Sequence, residues 1–402
     1  MPDLLYLDTA RLGRMSPSAQ LSQIEFVRMS GEFGGSLYFE RFLEHGSNEL
    51  PFGPGEILSR WRGIDGLRAD LRRLTNAAPD SRVLLANRSQ ELMRLASQLM
   101  FGPCRNVLVT DLTWPAYLQT LHQNIGPPTN RITRVNLREL ILSERISKEE
   151  VVQRVAEAFH TNGCDGLFLP AVDNLGVLFP ARECVKAISS TGELRFVVVD
   201  GAQALGHVPV DLSDNWCDLF LAGCHKWLRA QQPLGLGYFG SERTRSYIDS
   251  KLQRLIESNA IDDPLLTMTE TLRSGRWASY TETVNLAPLF TCHGALQDFC
   301  GDAHRQGSLT TDSRHSLAES LQSTLKTEWR LISPHDSMKT QIVLMQSPVS
   351  DSSLPKETLR QRFLQHGIAL TTYDGGLIRL SLPHSGFSSN DQLRVVAACE
   401  TT

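Results

Sequence analysis

No run of apolar residues in this chain reaches the ~18–20 residues that a membrane-spanning helix needs. The longest, such as Phe196-Val-Val-Val199, have the length of buried strands. Positive charge is not in excess: 40 Lys and Arg stand against 44 Asp and Glu, with no basic stripe interleaved with aromatics, so the footprint of a nucleic-acid binder is missing. The start, Met1-Pro-Asp-Leu-Leu-Tyr-Leu-Asp8, carries an acid and no cationic region, and it does not read as a signal peptide. Paired cysteines are lacking too. Cys104, Cys164, Cys184, Cys217, Cys224, Cys292, Cys300 and Cys399 stand singly, with no Cys-x-x-Cys spacing. That pattern argues against a zinc site and predicts reduced thiols, a cytoplasmic location and no metal centre.

What is present is an ordinary globular composition spread over 402 residues, more than one hydrophobic core usually supports. Residues 1–60 look irregular and turn-rich, with Gly-Glu-Phe-Gly-Gly at 31–35 and Pro51-Phe-Gly-Pro-Gly55. From Ile57 to Leu74 apolar residues recur at helical spacing. Short apolar runs then alternate with helical segments. The runs are Val83–Ala86, Asn106–Thr110, Ile132–Val135, Gly166–Leu169, Phe196–Val199, Leu219–Leu221 and Gly235–Phe239. Strands this apolar, spaced by helices, predict an α/β fold with a mostly parallel seven-stranded sheet between helices. After about residue 290 the rhythm changes. Ala295–Leu325 is helical in pattern, and strands at Gln341–Met345, Ile368–Thr371 and Leu377–Leu382 are interleaved with helices at Lys356–His366 and Asn390–Cys399. This predicts a small C-terminal α+β domain over 291–402, a large domain over 21–290, and an N-terminal arm over 1–20 that joins the small domain.

The chemistry concentrates in one segment. The strand Phe196–Val199 ends in Asp200, followed by Gly201, Ala202 and Gln203. The strand Leu219–Leu221 leads into Ala222-Gly-Cys-His225-Lys226. In open α/β sheets ligands bind at the carboxyl ends of strands, where these groups fall. A buried carboxylate keeps a pyridinium nitrogen protonated. A buried amine has a lowered pKa and forms an imine with an aldehyde.

On these residues the sequence resembles the class V aminotransferase family of fold-type I pyridoxal 5′-phosphate (PLP) enzymes. That family includes cysteine desulfurases, isopenicillin N epimerase-like proteins and kynureninases. Its pattern of Asp-Gly/Ala-x-Gln followed by Ser-x-His-Lys stands here as Asp200-Gly-Ala-Gln203 and Gly223-Cys-His225-Lys226. The resemblance implies PLP as cofactor, an amino acid as substrate, and a homodimer with shared active sites and neither nucleic-acid nor membrane partners. It makes Lys226 the Schiff-base lysine and α-carbon proton shuttle, and pairs Asp200 with the pyridine nitrogen. Gln203 then belongs near the phenolic oxygen and His225 at the phosphate. Gly223 replaces the family's serine, so one phosphate hydroxyl is missing and another group must cover it.

Further positions follow from the same resemblance. Arg88 and Ser89 are phosphate contacts at a helix start, the competing reading being an ordinary N-cap. Trp114 is a ring to stack on the pyridine, or else a core tryptophan. Asp173 stands where the family has Asn beside the phenolic oxygen, and Asn174 serves if the loop is offset by one. Thr283 reaches the neighbouring subunit's phosphate, although Glu282 replaces the family's glycine, and Arg276 and Trp277 line the same interface or simply pack. Arg379 binds the substrate α-carboxylate as a fork, the alternative being a surface salt bridge.

The reaction is less legible. No cysteine lies between Gln341 and Arg379, where a desulfurase carries its nucleophile, and Cys292 and Cys300 read as buried, inert thiols on a helix. The leading expectation is an aminotransferase. A β-elimination lyase or an epimerase on the same scaffold is the alternative, and a PLP-binding partner protein without turnover stands in another class.

Overall fold

The computed structural model of the chain describes residues 4–34, 36–49, 55–190, 193–275, 283–305, 328–348, 352–383 and 387–400. Arg276, Trp277, Glu282 and the expected helical stretch beyond 305 lie outside them. The chain enters through a short strand, β1 (Leu5–Tyr6). The large sheet is built from β2 (Arg82–Ala86), β3 (Asn106–Thr110), β4 (Arg131–Val135), β5 (Gly166–Pro170), β6 (Phe196–Asp200), β7 (Leu219–Gly223) and β8 (Gly235–Phe239). Its seven strands run in the order β2-β8-β7-β6-β5-β3-β4. β8 is antiparallel to β2 and to β7, and the other pairings are parallel.

The apolar runs become strands because helices cover both faces, so both sides of the pleat are apolar and no alternation survives. β3, β5, β6, β7 and β8 are buried along their whole length. β4 sits at an edge, is only partly buried, and carries Arg131 and Arg134, charges that discourage further strand pairing. The helix Lys148–Thr161 opens on a capping box between Ser147 and Glu150.

A second sheet holds β9 (Arg330–Ile332), β10 (Ile342–Gln346), β12 (Thr371–Thr372) and β13 (Leu377–Ser381), in the order β12-β13-β10-β9. β11 (Ile368–Ala369) instead pairs in parallel with β1. The run Ile368–Thr371, expected as one strand, is therefore two. The chain leaves β1 at Leu370 and joins β13 at Thr371, a change of partner that no local pattern encodes. Trp329, Phe363, Ile378, Leu380 and Val395 form this sheet's core, and Leu7 from the arm is buried among them.

Two further expectations need correction. Residues 1–60 are not irregular: helices occupy Pro17–Phe33 and Ser36–His45. The first starts at Ser16, whose hydroxyl accepts from the Ala19 N–H, with Pro17 behind it, and ends where Gly34 adopts φ +60°. Its buried face carries Ala19, Ser22 and Met29, while Leu21, Ile24 and Val27 are exposed. At its N-terminal half the buried stripe is small, Ala19 and Ser22, because the helix lies close to a second one, Ala287–Arg305: a Cβ on Gly294 would meet the Ser18 carbonyl at 2.4 Å. Apolar periodicity is therefore blurred, with Met29, Phe26 and Phe33 on the packed side and Leu21, Ile24 and Val27 on the exposed one. The domain boundary at 290 also falls inside Ala287–Arg305, whose Phe290, Cys292, Ala295 and Leu296 belong to the same core as the large sheet. Among the described residues no helix is long and apolar enough to cross a membrane.

Candidate active site

β6 and β7 are neighbours in register, Asp200 opposite Leu221, so their carboxyl ends deliver Asp200 and the loop 224–234 to one place. Asp200 is buried. Its Oδ1 accepts from the Ala202 N–H at 2.9 Å, which turns the carboxylate back over the strand end. Burial raises its pKa; the Ala202 bond and the Lys226 charge oppose that rise. Lys226 responds in the other direction. Burial lowers its pKa to about 8, against the pull of Asp200, and Arg379 lowers it further. Asp200, Lys226 and Arg379 thus share one electrostatic neighbourhood, which the sequence separates into three stretches.

His225 is partly buried, and its Nδ1 is buried with no hydrogen-bond partner. Burial, then Lys226, lowers its pKa to about 4, so the imidazole is neutral near neutrality. Cys224 points the other way: its Sγ contacts the Gln232 carbonyl at 3.4 Å. The helix Ser89–Met100 begins beside β8. A Cβ on Gly235 would lie 2.4 Å from the Arg88 carbonyl carbon, so only glycine lets the helix start come this close. Ser89 Oγ accepts from the Tyr117 hydroxyl at 2.9 Å, which leaves its own proton free to donate. Tyr117 is buried and feels the Asp200 charge, so it joins the cluster although the sequence reading passed over it. Its signal was its place one turn after Trp114 on the helix Pro115–Gln123.

Other expected positions land differently. The Arg88 side chain is largely exposed and pairs with Glu91 at 3.5 Å, because the residue precedes the helix with an extended backbone and its side chain turns outward. Trp114 is not a core residue, and among the described residues no ring covers it: it is 46% exposed at the start of its helix. Thr283 is exposed on this chain. Gln203 has its amide engaged: Nε2 donates to the Ala10 carbonyl at 2.7 Å, and Oε1 accepts from the Trp227 indole at 2.9 Å. Trp227 in turn stacks on His207, with ring centroids 3.7 Å apart. Gln203 therefore ties the arm to the lysine loop. Asp173 folds onto its own turn, Oδ1 accepting from the Leu175 and Val177 N–H groups at 3.0 and 2.8 Å, and burial pushes its pKa up to about 6. Asn174 offers its backbone carbonyl to Arg379 Nη1 at 3.0 Å.

Arg379 is no surface residue; it is 5% exposed. Beyond Asn174, its Nη2 donates to Thr371 Oγ1 at 3.1 Å and lies 3.5 Å from Asp8 Oδ1, while its buried Nε has no partner. Asp8 and Thr371 are further residues the sequence reading missed. Of the two helix thiols expected to be buried, Cys292 is buried but Cys300 is exposed, near the helix end. A cavity of about 660 Å³ lined by Ser47, Arg60, Arg62, Asp70 and Arg73 lies apart from this cluster and shares no residue with it.

Residues 62–244 match the family model for class-V aminotransferases. An isopenicillin N epimerase from Amycolatopsis lactamdurans is 32% identical over 97 residues, covering 24% of this chain and 24% of that protein. An L-cysteine desulfhydrase from Arabidopsis thaliana is 29% identical over 109 residues, 26% of this chain and 23% of that protein. The chain thus spans about a quarter of the length of the curated relatives it matches. A C-DES variant solved with glycine covalently linked to its PLP cofactor superposes with a TM-score of 0.68 at 14% identity, covering 100% of this chain and 97% of that one. At that identity the likeness establishes the fold.

Proposed function

From the premise that this chain is of the class-V aminotransferase family, PLP enzymes of fold type I, we propose that it acts at the α-carbon of an α-amino acid by transamination. The observation that carries the reading is a half-buried Lys226, its pKa lowered to about 8, that feels the charge of the buried Asp200 carboxylate at the adjacent strand end.

The residues present fit the cofactor. The buried Nδ1 of His225 lacks a partner, and the Ser89 hydroxyl has a proton to give, so a phosphate would satisfy both. The helix start behind Ser89 adds N–H groups and the favourable end of the helix dipole. Ser89 then covers the hydroxyl that Gly223 lacks. Asp200 would hold the pyridine nitrogen, the exposed Trp114 indole would cover the ring, and the Lys226 amine would anchor the aldehyde. Bound there, the cofactor supplies an electron sink for the pair left at the α-carbon. Lys226 would take the proton from the α-carbon and hand it on to the carbon that had carried the aldehyde, a task suited to an amine that titrates near working pH. Arg379 offers its unpaired Nε edge to the substrate carboxylate. We extend the proposal to a homodimer in which the exposed Thr283 reaches the neighbouring subunit's phosphate.

The test is a pair of half reactions. Transamination requires an added keto acid for sustained turnover, followed as transfer of the amino group. Steady pyruvate release, or loss of optical activity, without a keto acid supports the second reading, elimination or epimerisation, which the epimerase and desulfhydrase relatives favour. Lys226→Ala is expected to reduce turnover by at least ~10³-fold. Retained turnover removes Lys226 from the chemistry. A protein whose cofactor absorbance ignores every amino acid is an inert PLP binder instead.

A further inference from the structure

Asp8 lies just beyond β1 on the arm, and it is 8% exposed. The backbone around it is pinned. The Leu7 N–H donates to the Ala369 carbonyl at 2.8 Å, the Ser381 N–H donates to the Leu7 carbonyl at 2.8 Å, and the Ala10 N–H donates to Ser381 Oγ at 2.9 Å. The Ala10 carbonyl accepts from Gln203. A carboxylate fixed in this way receives the hydroxyl proton of Thr371 on Oδ1. Thr371 has one proton, and Asp8 takes it, so the lone pairs of Thr371 remain for Arg379 Nη2 at 3.1 Å. Thr371 and Arg379 face each other in register across β12 and β13. With Nη1 on the Asn174 carbonyl, the guanidinium is held along its terminal nitrogens, and Nε is left buried and unpaired.

We propose that Asp8 is a positioning residue for Arg379, acting through the Thr371 hydroxyl, and that it presents the Nε edge of the guanidinium to the substrate carboxylate. Asp8 touches no reacting atom. It sets the direction of one hydroxyl, and that hydroxyl sets the plane of the arginine. The inference rests on the reading of Arg379 as the carboxylate fork.

The experiment is an equilibrium titration of the cofactor-loaded protein, read as the change in cofactor absorbance. Two probes are used: the L-amino acid that gives the largest change among the twenty, and its carboxamide, which lacks the carboxylate. Asp8→Ala and Thr371→Val are each expected to weaken amino-acid binding about tenfold and to leave carboxamide binding unchanged. The double variant should be no weaker than either single one, because both break the same chain of bonds. Asp8→Asn and Thr371→Ser keep the required acceptor and hydroxyl, so they should bind as the parent does, and they serve if the harsher variants do not fold. Unchanged amino-acid binding in Asp8→Ala overturns the proposal. So does equal weakening of both probes, or an Asp8→Asn variant as weak as Asp8→Ala, which would mean that charge rather than hydroxyl direction matters. Arg379→Ala separates the two layers. If it leaves the preference for the amino acid over the carboxamide intact, or if no amino acid changes the absorbance, the reading of Arg379 fails and this inference falls with it. If Arg379→Ala abolishes the preference while Asp8→Ala keeps it, Asp8 alone is wrongly assigned.

Discussion

Lys226, half-buried, and Asp173, buried, are ionisable groups pushed in opposite senses by the same cause, loss of water, and each gives a pH experiment. For Lys226 the charged form is disfavoured, and the uncharged amine, which attacks an aldehyde, accumulates as pH rises through about 8. The rate of PLP capture by the cofactor-free protein should climb from about pH 6.5, pass its midpoint near pH 8 and level off about a pH unit above that. Asp200→Asn removes the charge that opposes the shift, so the midpoint should move to lower pH. A midpoint near the ordinary lysine value of ~10.4 would show that burial does not act on this amine. For Asp173 the folded chain holds the proton more tightly than the unfolded chain. The stability this contributes is complete below the unfolded carboxyl pKa and is lost as pH rises through about 6. Asp173→Asn, which cannot ionise, should therefore gain on the parent by on the order of 2–3 kcal/mol between pH 3.5 and 7.5, measured by urea unfolding. A gap that does not change with pH would mean an ordinary carboxyl.

The arm is the element on which most of the site's geometry depends. The Gly13 N–H donates to the His225 carbonyl at 2.8 Å and the Ser16 N–H to the Arg229 carbonyl at 2.9 Å, so the arm lies directly on the lysine loop. A Cβ at Gly13 would sit 1.9 Å from the Lys226 carbonyl oxygen, a backbone atom that cannot rotate away. Gly13→Ala should lift the arm, weaken PLP binding about tenfold or more, and free the backbone at the exposed Arg11 and Arg14 for cutting by trypsin. Unaltered digestion and binding would show that the arm can be displaced without consequence. Ser16→Ala, which removes one cap from the helix Pro17–Phe33, should cost only about 1 kcal/mol and leave PLP binding alone. The contrast separates the role of the arm's seat from that of the helix behind it.

At the scale of the whole molecule, the arm joins the four-stranded and seven-stranded sheets: its Leu7 carbonyl accepts from the Ser381 N–H of β13, while its Ala10 carbonyl accepts from Gln203 in the large sheet's loop. The proposed dimer adds a second level of joining. Lys226→Ala and Thr283→Asp would each silence a site, the second by setting a carboxylate against the phosphate. If sites are shared between subunits, mixing the two inactive variants regenerates one intact site per heterodimer, and about a quarter of parental activity should return. No recovery on mixing, with subunit exchange verified by mass, would confine each site to one chain.

The sequence by itself determined the large sheet and the place of its chemistry. Runs such as Phe196–Val199 and Leu219–Leu221 can only be buried strands, and an acid or an amine immediately after such a strand must stand at its end. These are local facts, written in neighbouring residues. Tertiary structure alone decided what those groups touch. Asp8 and Thr371 meet from 363 residues apart, Gln203 spends its amide on Ala10, and the helix Pro17–Phe33 buries Ala19 and Ser22 while Leu21, Ile24 and Val27 stay exposed. A hydrogen bond between distant residues leaves no period in the chain, and a close helix contact favours small side chains, so neither can be read before the chain is folded.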